Sequence, residues 1–222
     1  MAYAPNGTTS YLEEVSSDFA SLPLTVLLRF YNTGGAGHWL SFCNAVDRAA
    51  LYLGGTGLST PGARQLNAAG SGQSATVVVS TGVVGAVIVG RFTSNSSRDI
   101  FMQGSNHGVN TTAMTGTLTA PDRLRIGAGS TTGGAVGNYC AEDVMEVAVW
   151  NAALTDDECT ALASFGPHPL LVRPQNLIRC YDMLNLNCRV SQHSLTNVNS
   201  VPMSSARGRH KMLKNPNRVI ND

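Results

Sequence analysis

Short apolar segments separated by turn residues run along most of the chain. The first are TSYLEE, PLTVLLRFYN, HWLSFCNA, AALYLGG and ARQLNAAG, and they are followed by SATVVVSTG, VGAVIVGRF, RDIFMQG, MTGTLTA and DRLRIGAG. Many short strands at even spacing, with Gly, Pro, Asn or Ser between them, are typical of an antiparallel β-sandwich. Segments such as TVLL and AVIV are continuously apolar, which indicates strands in the centre of the sandwich. The pattern therefore predicts an all-β fold.

One helical pattern interrupts this series near the C-terminal third of the chain. The capping box TDDE, with Thr155 as N-cap and Glu158 as its partner, predicts a short helix near residues 155–164. Gly166 and the following PHP are expected to end it, because glycine tolerates a left-handed cap and proline cannot continue the helix. The side chains expected to face the sheet are Leu154, Cys159 and Leu162.

Length and composition fit one neutral domain. A chain of 222 residues is within the range of a single β-sandwich. Charged residues make up 13% of the chain, about half of the ordinary globular share, so we expect a surface rich in hydroxyl and amide groups. The net charge of +1 argues against nucleic-acid binding by bulk electrostatics.

The cysteines and the N-terminal segment bear on the cellular compartment. Five cysteines without a CxxC pair predict reduced thiols rather than a zinc site or a complete disulfide framework. MAYAPNGTTS lacks a basic region followed by an apolar one, so no secretory signal is predicted and we expect synthesis in a cytoplasm. No apolar run reaches the roughly 18 residues that a membrane-spanning helix needs, so no membrane partner is expected.

The end of the strand series resembles a known family. The strand VMEVAVWNAAL, the helix TDDECTALA and the turn that follows resemble the closing segment of laminin G-like, concanavalin A-like jelly-roll domains. NGTTSYLEEVSSDFASLPLTVLLRFYN is similar to the opening of such domains, and DRLRIGAGS to their L-x-I-G strand. SFGPHP departs from the usual Gly-x-x-Pro. The resemblance covers about residues 5–184 and implies a concanavalin A-like jelly roll.

The segment after the helix narrows the resemblance further. LLVRPQNLIRCYDML is similar to jelly-roll domains of tailed-bacteriophage virion proteins, in which a PxxLIxxY strand returns and a polar tail ends near other virion subunits. This implies a virion structural protein, either a capsid decoration or a tail or fibre component, whose partners are other virion proteins or further copies of itself. The strand-forming residues Leu177, Ile178 and Tyr181 are expected to pair beside the N-terminal TSYL strand.

The apolar periodicity fades after this returning strand. We therefore divide the chain into a sandwich at residues 1–184, with the returning strand near residues 175–183, and an extended basic tail at residues 185–222. The tail is either a solvated terminus or a docking arm that orders on an acidic neighbouring subunit. Nucleic acid fits less well, because no aromatic side chain is interleaved to stack on bases. The candidate docking residues are Arg207, Arg209, Lys211, Lys214 and Arg218.

Glycoside hydrolases of the concanavalin A-like fold place their carboxylates in an E-x-D-x-E strand motif, and AEDVMEVAVW is the nearest match here. On a regular strand Glu142 and Glu146 share one face and Asp143 lies on the other, so the order of the three acids is wrong. The two glutamates would stand about 13 Å apart, beyond the roughly 5 Å or 6.5–9.5 Å of hydrolase pairs unless a bulge shortens the gap. The sequence therefore predicts a protein without enzymatic activity, with a hydrolase as the third hypothesis.

Metal sites are weakly indicated. The five histidines have no carboxylate or second histidine at ligand spacing, which favours core or surface roles. The family resemblance implies a calcium site as one alternative, since laminin G-like domains often bind one calcium ion at a loop rim. None of the loop acids has an acidic neighbour at DxD spacing, so no cofactor is predicted. These acids are Asp18, Asp47, Asp99 and Asp122.

A carbohydrate-binding adhesion module is the alternative to a virion scaffold. Sugar binding needs an aromatic ring and several polar groups, because a sugar has apolar faces and a ring of hydroxyls. Trp39 and His38 follow the glycine-rich TGGAG and are candidates, although HWLSF alternates and equally allows Trp39 in the core. Asn95 in TSNSSRD, and Asn106 and His107 in QGSNHGVNTT, are candidates in polar loops that would meet a host-surface glycan.

Overall fold

The computed structural model describes residues 2–31, 36–46, 50–55, 60–78, 85–102, 106–116, 118–141, 143–201 and 203–204. Within these ranges the chain forms β-strands, a few short 3-10 turns and the α-helix α1 (Asp156–Ala163). The strands are β1 (Ala2–Tyr3), β2 (Tyr11–Val15), β3 (Leu24–Tyr31), β4 (Gly37–Cys43), β5 (Ala50–Gly55), β6 (Pro61–Leu66), β7 (Gly72–Thr76), β8 (Gly85–Ser94), β9 (Ser97–Met102), β10 (Asn106–Asn110), β11 (Arg123–Ile126), β12 (Gly129–Ser130), β13 (Val136–Gly137), β14 (Asp143–Trp150), β15 (Leu177–Tyr181), β16 (Thr196–Val198) and β17 (Met203–Ser204).

The strands form two antiparallel sheets and a small ribbon. The eight-stranded sheet has the order β10-β9-β8-β3-β14-β1-β17, and β15 also pairs with β14. The seven-stranded sheet has the order β16-β2-β11-β4-β5-β6-β7, and β12 pairs with β13. The predicted all-β antiparallel sandwich with one short helix is confirmed.

The main core lies between the two sheets. Side chains that alternate toward the interior from both sheets form one apolar cluster, which includes Leu12 and Phe42 from the seven-stranded sheet and Phe30 and Ile88 from the eight-stranded sheet. Each of these four side chains is fully buried. Burial of a side chain of this size contributes about 1.5–3 kcal/mol, so this cluster is the main favourable term that holds the sheets together.

A second apolar layer covers the outer face of the eight-stranded sheet. Helix α1 packs there on β8 and β9, and the three side chains predicted to face the sheet, Leu154, Cys159 and Leu162, are all buried in this layer. The predicted capping box is present, since Thr155 Oγ1 accepts a hydrogen bond from the Glu158 backbone N–H at 3.3 Å and Glu158 Oε2 accepts one from the Thr155 N–H at 2.7 Å. The helix prediction is therefore confirmed.

The end of α1 differs in detail from the prediction. The residue with left-handed backbone is Phe165, with φ of 56°, and not Gly166. The Gly166 N–H donates to the Ala161 carbonyl at 3.0 Å, as in a Schellman motif. A Cβ on Gly166 would lie 2.2 Å from that carbonyl oxygen. Glycine is required here because of this close backbone approach rather than because of a positive φ.

One predicted loop is a strand in the structure, and one predicted strand is not. NHGVN, interpreted above as loop, is strand β10 at the edge of the eight-stranded sheet. MTGTLTA, interpreted as a strand, contains no strand among its described residues. The side chains of β10 are half-buried or exposed, so no apolar alternation marks the strand, and its position is set by backbone pairing with β9.

The returning strand pairs differently from the prediction. β15 lies beside β14, with Tyr181 opposite Val147, and does not pair with β2. The neighbour of β2 at that edge is β16, and β17 pairs with β1. Leu195 and Val201 are buried in the main core. The chain therefore contributes edge strands and core side chains to the sandwich beyond the boundary predicted at residue 184. The five basic candidate docking residues lie outside the described residues.

All five cysteines are free, as predicted, and all five are buried. Burial raises the pKa of the Cys159 and Cys180 thiols to about 12, so both are protonated at neutral pH. Among the residues described, no helix has the length and apolar character needed to cross a membrane.

Candidate functional site

A straight row of side chains crosses the outer face of the seven-stranded sheet, perpendicular to the strands. Strand register places these residues opposite one another in the order Thr196, Glu13, Arg125, Ser41, Tyr52, Arg64 and Ser74. Their neighbours along the strands, such as Leu12, Leu53 and Ala63, lie in the main core, so alternation directs the row away from the core. Adjacent strands are about 4.8 Å apart, which makes this cross-strand row about 29 Å long.

The charges at one end of the cross-strand row are compensated. Arg125 Nε donates to Glu13 Oε2 at 2.7 Å, and Arg123 Nη1 lies 3.6 Å from the same oxygen. Arg123 Nε also donates to Asp122 Oδ1 at 2.7 Å, and this hydrogen bond raises the pKa of the Arg123 guanidinium. Arg125 is stacked against the ring of Tyr11, with its Cζ atom 5.8 Å from the ring centroid. Both guanidinium groups therefore already have acidic partners.

The β12–β13 ribbon covers the middle of the row. Ser130 Oγ accepts from Arg125 Nη1 at 3.1 Å and can donate to the Asn44 carbonyl at 3.2 Å. Ser41 and Arg125, in the middle of the row, are consequently buried. Gly129 lies against His38, where a Cβ would be 1.9 Å from His38 Nδ1. The ribbon thus separates the Glu13 end of the row from the Arg64 end.

The other end of the row combines an aromatic pair with a guanidinium, and we call it the Tyr52–Arg64 patch (His38, Tyr52, Arg64 and Ser74). The His38 ring is stacked on Tyr52, with centroids 3.7 Å apart and planes 14° from parallel. Arg64 Nη1 donates to Tyr52 Oη at 3.4 Å, a long hydrogen bond. Arg64 Nε is buried and has no hydrogen-bond partner within the described ranges. In the described part of the chain Arg64 has no ion pair.

The two predicted candidates in β4 lie on opposite faces of the seven-stranded sheet. Trp39 is fully buried in the main core, with its ring centroid 5.1 Å from that of Phe30, so the prediction that it stacks on a sugar is wrong and the core alternative holds. The register of β4 shifts between His38 and Leu40. This bulge lets Trp39 and Leu40 both enter the core and places His38 on the outer face, against Tyr52.

The other three candidates lie in the eight-stranded sheet and are not brought together with His38. Asn95 is exposed in the turn between β8 and β9, whereas Asn106 pairs with the last residue of β9, at the other end of that strand. His107 is stacked on Phe101 at 4.0 Å, and its Nε2 lies 3.6 Å from Asp99 Oδ1. These side chains do not converge on one site.

The predicted hydrolase motif is altered by a bulge in β14. The register shifts between Val144 and Glu146, and Val144 and Val147 both lie in the core. Alternation then places Asp143 and Glu146 on the same outer face, in contrast to the prediction. Glu146 Oε2 contacts Arg29 Nη1 at 2.7 Å, and burial raises the pKa of its carboxyl group. Glu142 lies outside the described residues.

The predicted loop acids are held by arginines. Asp18 contacts Arg179, Asp99 contacts Arg91 and Asp122 contacts Arg123, each at 2.7 or 2.8 Å. Asp47 lies outside the described residues. Among the residues that are described, no three His, Cys, Asp or Glu side chains come together in a group that could hold a metal ion.

Tyr52, Arg64 and the charged half of the row belong to no motif recognisable in the sequence. A signal was present in the strands themselves, since outward positions alternate with core positions in YLEEV, RLRI, ALYLGG and ARQL. The sequence of each strand alone does not show that these outward positions line up across the sheet.

No protein-family model matches the chain, and no curated protein sequence matches it. Solved structures do match it. A heptameric SAP-like pentraxin from Limulus polyphemus has a TM-score of 0.63 at 14% identity, over 92% of this chain and 95% of the pentraxin. The chain has the concanavalin A-like β-sandwich fold.

Two further structures share this concanavalin A-like fold. A putative carbohydrate binding protein from Bacteroides ovatus has a TM-score of 0.55 at 11% identity, over 91% of this chain and 62% of that protein. A leech intramolecular trans-sialidase has a TM-score of 0.56 at 12% identity, over 76% of this chain and 28% of the enzyme. At these identities the likeness shows the fold alone. None of the three is a phage protein.

Proposed function

We propose that this concanavalin A-like protein is a carbohydrate-binding module and that the sugar binds at the Tyr52–Arg64 patch. The observation that carries the proposal is the cross-strand row, which ends in an aromatic pair, a guanidinium and the Ser74 hydroxyl on one sheet face. The Arg64 guanidinium supplies N–H donors for sugar oxygens. Tyr52 and His38 are only 6% and 7% exposed, so they act by positioning this guanidinium rather than by stacking on the sugar. The Bacteroides ovatus structure, which is described as a putative carbohydrate binding protein, has the same fold and supports the proposal by analogy.

Rigidity supports the choice of this patch over the loops. Tyr52, Arg64 and Ser74 lie on three neighbouring paired strands, and the stacked His38 ring restrains Tyr52. Groups held in this way lose little conformational freedom when a ligand binds. The outer face of the eight-stranded sheet is instead covered by α1 and its apolar layer. The proposal contains no catalytic step.

We expect Tyr52→Leu to weaken glycan binding by at least about tenfold, because it removes the hydroxyl that contacts Arg64 and so leaves the guanidinium less well positioned. Leucine suits the apolar neighbours Cys43, Ala50 and Leu66, so the sandwich should still fold. The measurement is a glycan array followed by titration calorimetry on the strongest glycan. Tyr31→Leu, in the eight-stranded sheet, is the matched control.

The glycan-binding surface can also be mapped by NMR on the wild-type protein, so the test does not depend on the Tyr52→Leu variant. Titration of the isotope-labelled protein with the same glycan should shift amide resonances of β5, β6 and β7. Shifts confined to the β9–β10 hairpin, or an array on which no glycan binds, would exclude the proposal.

A virion scaffold is the second proposal. It is supported by the resemblance of LLVRPQNLIRCYDML to phage jelly-roll domains and by the five basic residues after residue 204. In this proposal the protein is made in a host cytoplasm, joins capsid or tail subunits or other copies of itself, and is anchored by the basic segment.

We expect truncation after Ser204 to leave a folded sandwich that no longer enters phage particles. The cut is placed there because Val201 is a core residue and β17 pairs with β1. Particle incorporation is measured by mass spectrometry of purified virions, with circular dichroism to verify the fold. Incorporation at the wild-type level would show that the basic segment is not an anchor.

A further inference from the structure

We infer that the ligand at the Tyr52–Arg64 patch is an acidic sugar whose carboxylate binds Arg64. This inference rests on the proposed function and adds a ligand class to it. Three features of Arg64 support it: its charge has no counter-ion among the described residues, its hydrogen bonds there are incomplete, and its side chain lies at an outward position of the sheet.

The arginines on the outer face of the seven-stranded sheet differ in whether they have an acidic partner. Arg125 is paired with Glu13, and Arg123 is paired with Asp122 and also approaches Glu13. Arg64 has no acidic partner among the residues that the structure describes. Within the described ranges, one positive charge of this face is therefore left without a counter-ion, at the end of the row that the β12–β13 ribbon separates from Glu13.

The hydrogen bonds of Arg64 are incomplete as well. Among the residues described, its Nη1 atom makes only the long contact with Tyr52 Oη, and its Nε atom, next to Gly62, has no acceptor. The Nε atom is enclosed, so a ligand binds the terminal Nη1 and Nη2 groups of this half-buried side chain. A carboxylate fits better than a sugar hydroxyl, because its two oxygens match two parallel guanidinium N–H groups and the bonds are charge-assisted.

Other arginines with unusual surroundings are less suitable. Arg29 also has two nitrogen atoms with no hydrogen-bond partner in the part of the chain that the structure describes, but its Nη1 already contacts Glu146 at 2.7 Å and its side chain is 14% exposed. Arg98 is fully buried and its nitrogens are hydrogen-bonded. Arg64 is half-buried, on an outward position, and lies beside an aromatic pair.

The test compares acidic glycans with counterparts in which each carboxyl group has been reduced to an alcohol. The probes are oligosaccharides of galacturonic acid, hyaluronan fragments and sialyllactose, titrated at low and high salt. We expect the acidic form to bind about 10- to 100-fold more tightly than the reduced form, with a smaller difference at high salt. This comparison uses the unmodified protein, so it does not depend on any variant folding.

Variants then assign the effect to Arg64. Arg64→Gln, which removes the charge, should abolish the preference for the acidic form. Arg64→Lys keeps the charge but loses the planar pair of donors, so it should retain only part of the preference. Arg189→Gln is the control, since its side chain is 45% exposed and pairs with Asp182. Thermal unfolding verifies that the variants fold.

The outcomes separate this inference from the proposed function. Equal binding of acidic and reduced glycans overturns the inference and leaves carbohydrate binding standing. A preference for acidic glycans that survives Arg64→Gln also overturns it, because another cation would then be responsible. Failure of every glycan, acidic or neutral, overturns both proposals.

Discussion

Replacement of Arg179 by methionine is expected to lower the free energy of unfolding by about 4 kcal/mol. The side chains of Arg179 and Glu14 are only 2% and 3% exposed, and Arg179 Nη2 lies 2.6 Å from Glu14 Oε1. Loss of one partner of a buried ion pair costs about 3–5 kcal/mol, because the remaining buried charge loses its main compensation. The expected loss is a large fraction of the stability of an ordinary domain.

The position of the pair in the fold adds to this expectation. Glu14 is in β2 of the seven-stranded sheet and Arg179 is in β15 of the eight-stranded sheet, so the ion pair ties the two sheets together. Tyr181 also donates a short hydrogen bond to Glu14 Oε2, and burial together with this bond raises the pKa of its hydroxyl. Without Arg179, the Glu14 carboxylate keeps Tyr181 and the contact with His193 Nδ1 at 3.0 Å as its partners.

Urea unfolding followed by circular dichroism measures the loss. Arg189→Met is the matched control, since Arg189 pairs with Asp182 at the surface and such pairs contribute about 0–1 kcal/mol. The double variant Glu14→Gln and Arg179→Met should regain part of the stability, because it no longer buries a lone charge. A loss of less than 1 kcal/mol for Arg179→Met alone would contradict the assignment of this pair as a structural tie.

The elements with strong local signals were predictable from the sequence. The capping box at Thr155 and Glu158 defines the start of α1, and apolar runs such as those of β3 and β8 identify central strands. Strand β10 has no such signal. Its half-buried and exposed side chains do not distinguish it from a loop, and only the pairing with β9 makes it a strand.

The candidate site was less predictable, because it depends on register between strands that are far apart in sequence. The cross-strand row takes one residue from each of seven strands, and these residues range from Glu13 to Thr196 in the sequence. Two β-bulges also changed which side chains face outward. The one in β4 placed Trp39 in the core and His38 outside, and the one in β14 brought Asp143 and Glu146 to one face. A single extra residue reverses which side chains face the core, and no residue type marks these two positions.

Arg98 is a buried arginine of a different kind from Arg179. It has no carboxylate partner within ion-pair distance in the described residues, and burial lowers the pKa of its guanidinium. Its Nε donates to Gln65 Oε1 at 2.8 Å, which connects β9 to β6 of the opposite sheet. Its Nη atoms donate to Asn110 Oδ1 and to the carbonyls of Asn95 and Thr112, at 2.9–3.1 Å. Neutral acceptors therefore satisfy this charge.

Arg98→Met is expected to destabilise the protein by about 3 kcal/mol. Methionine fills much of the volume but leaves these acceptors without a donor, at about 1–3 kcal/mol for each one that water does not reach. The Met114 N–H, which donates to the Asn95 carbonyl at 3.0 Å, should exchange faster with solvent, because Arg98 holds that carbonyl in place. Urea unfolding and amide hydrogen exchange measure the two effects, with Arg173→Met, at a side chain 32% exposed, as the control. Wild-type exchange at Met114 together with unchanged stability would show that Arg98 does not fix this end of the sandwich.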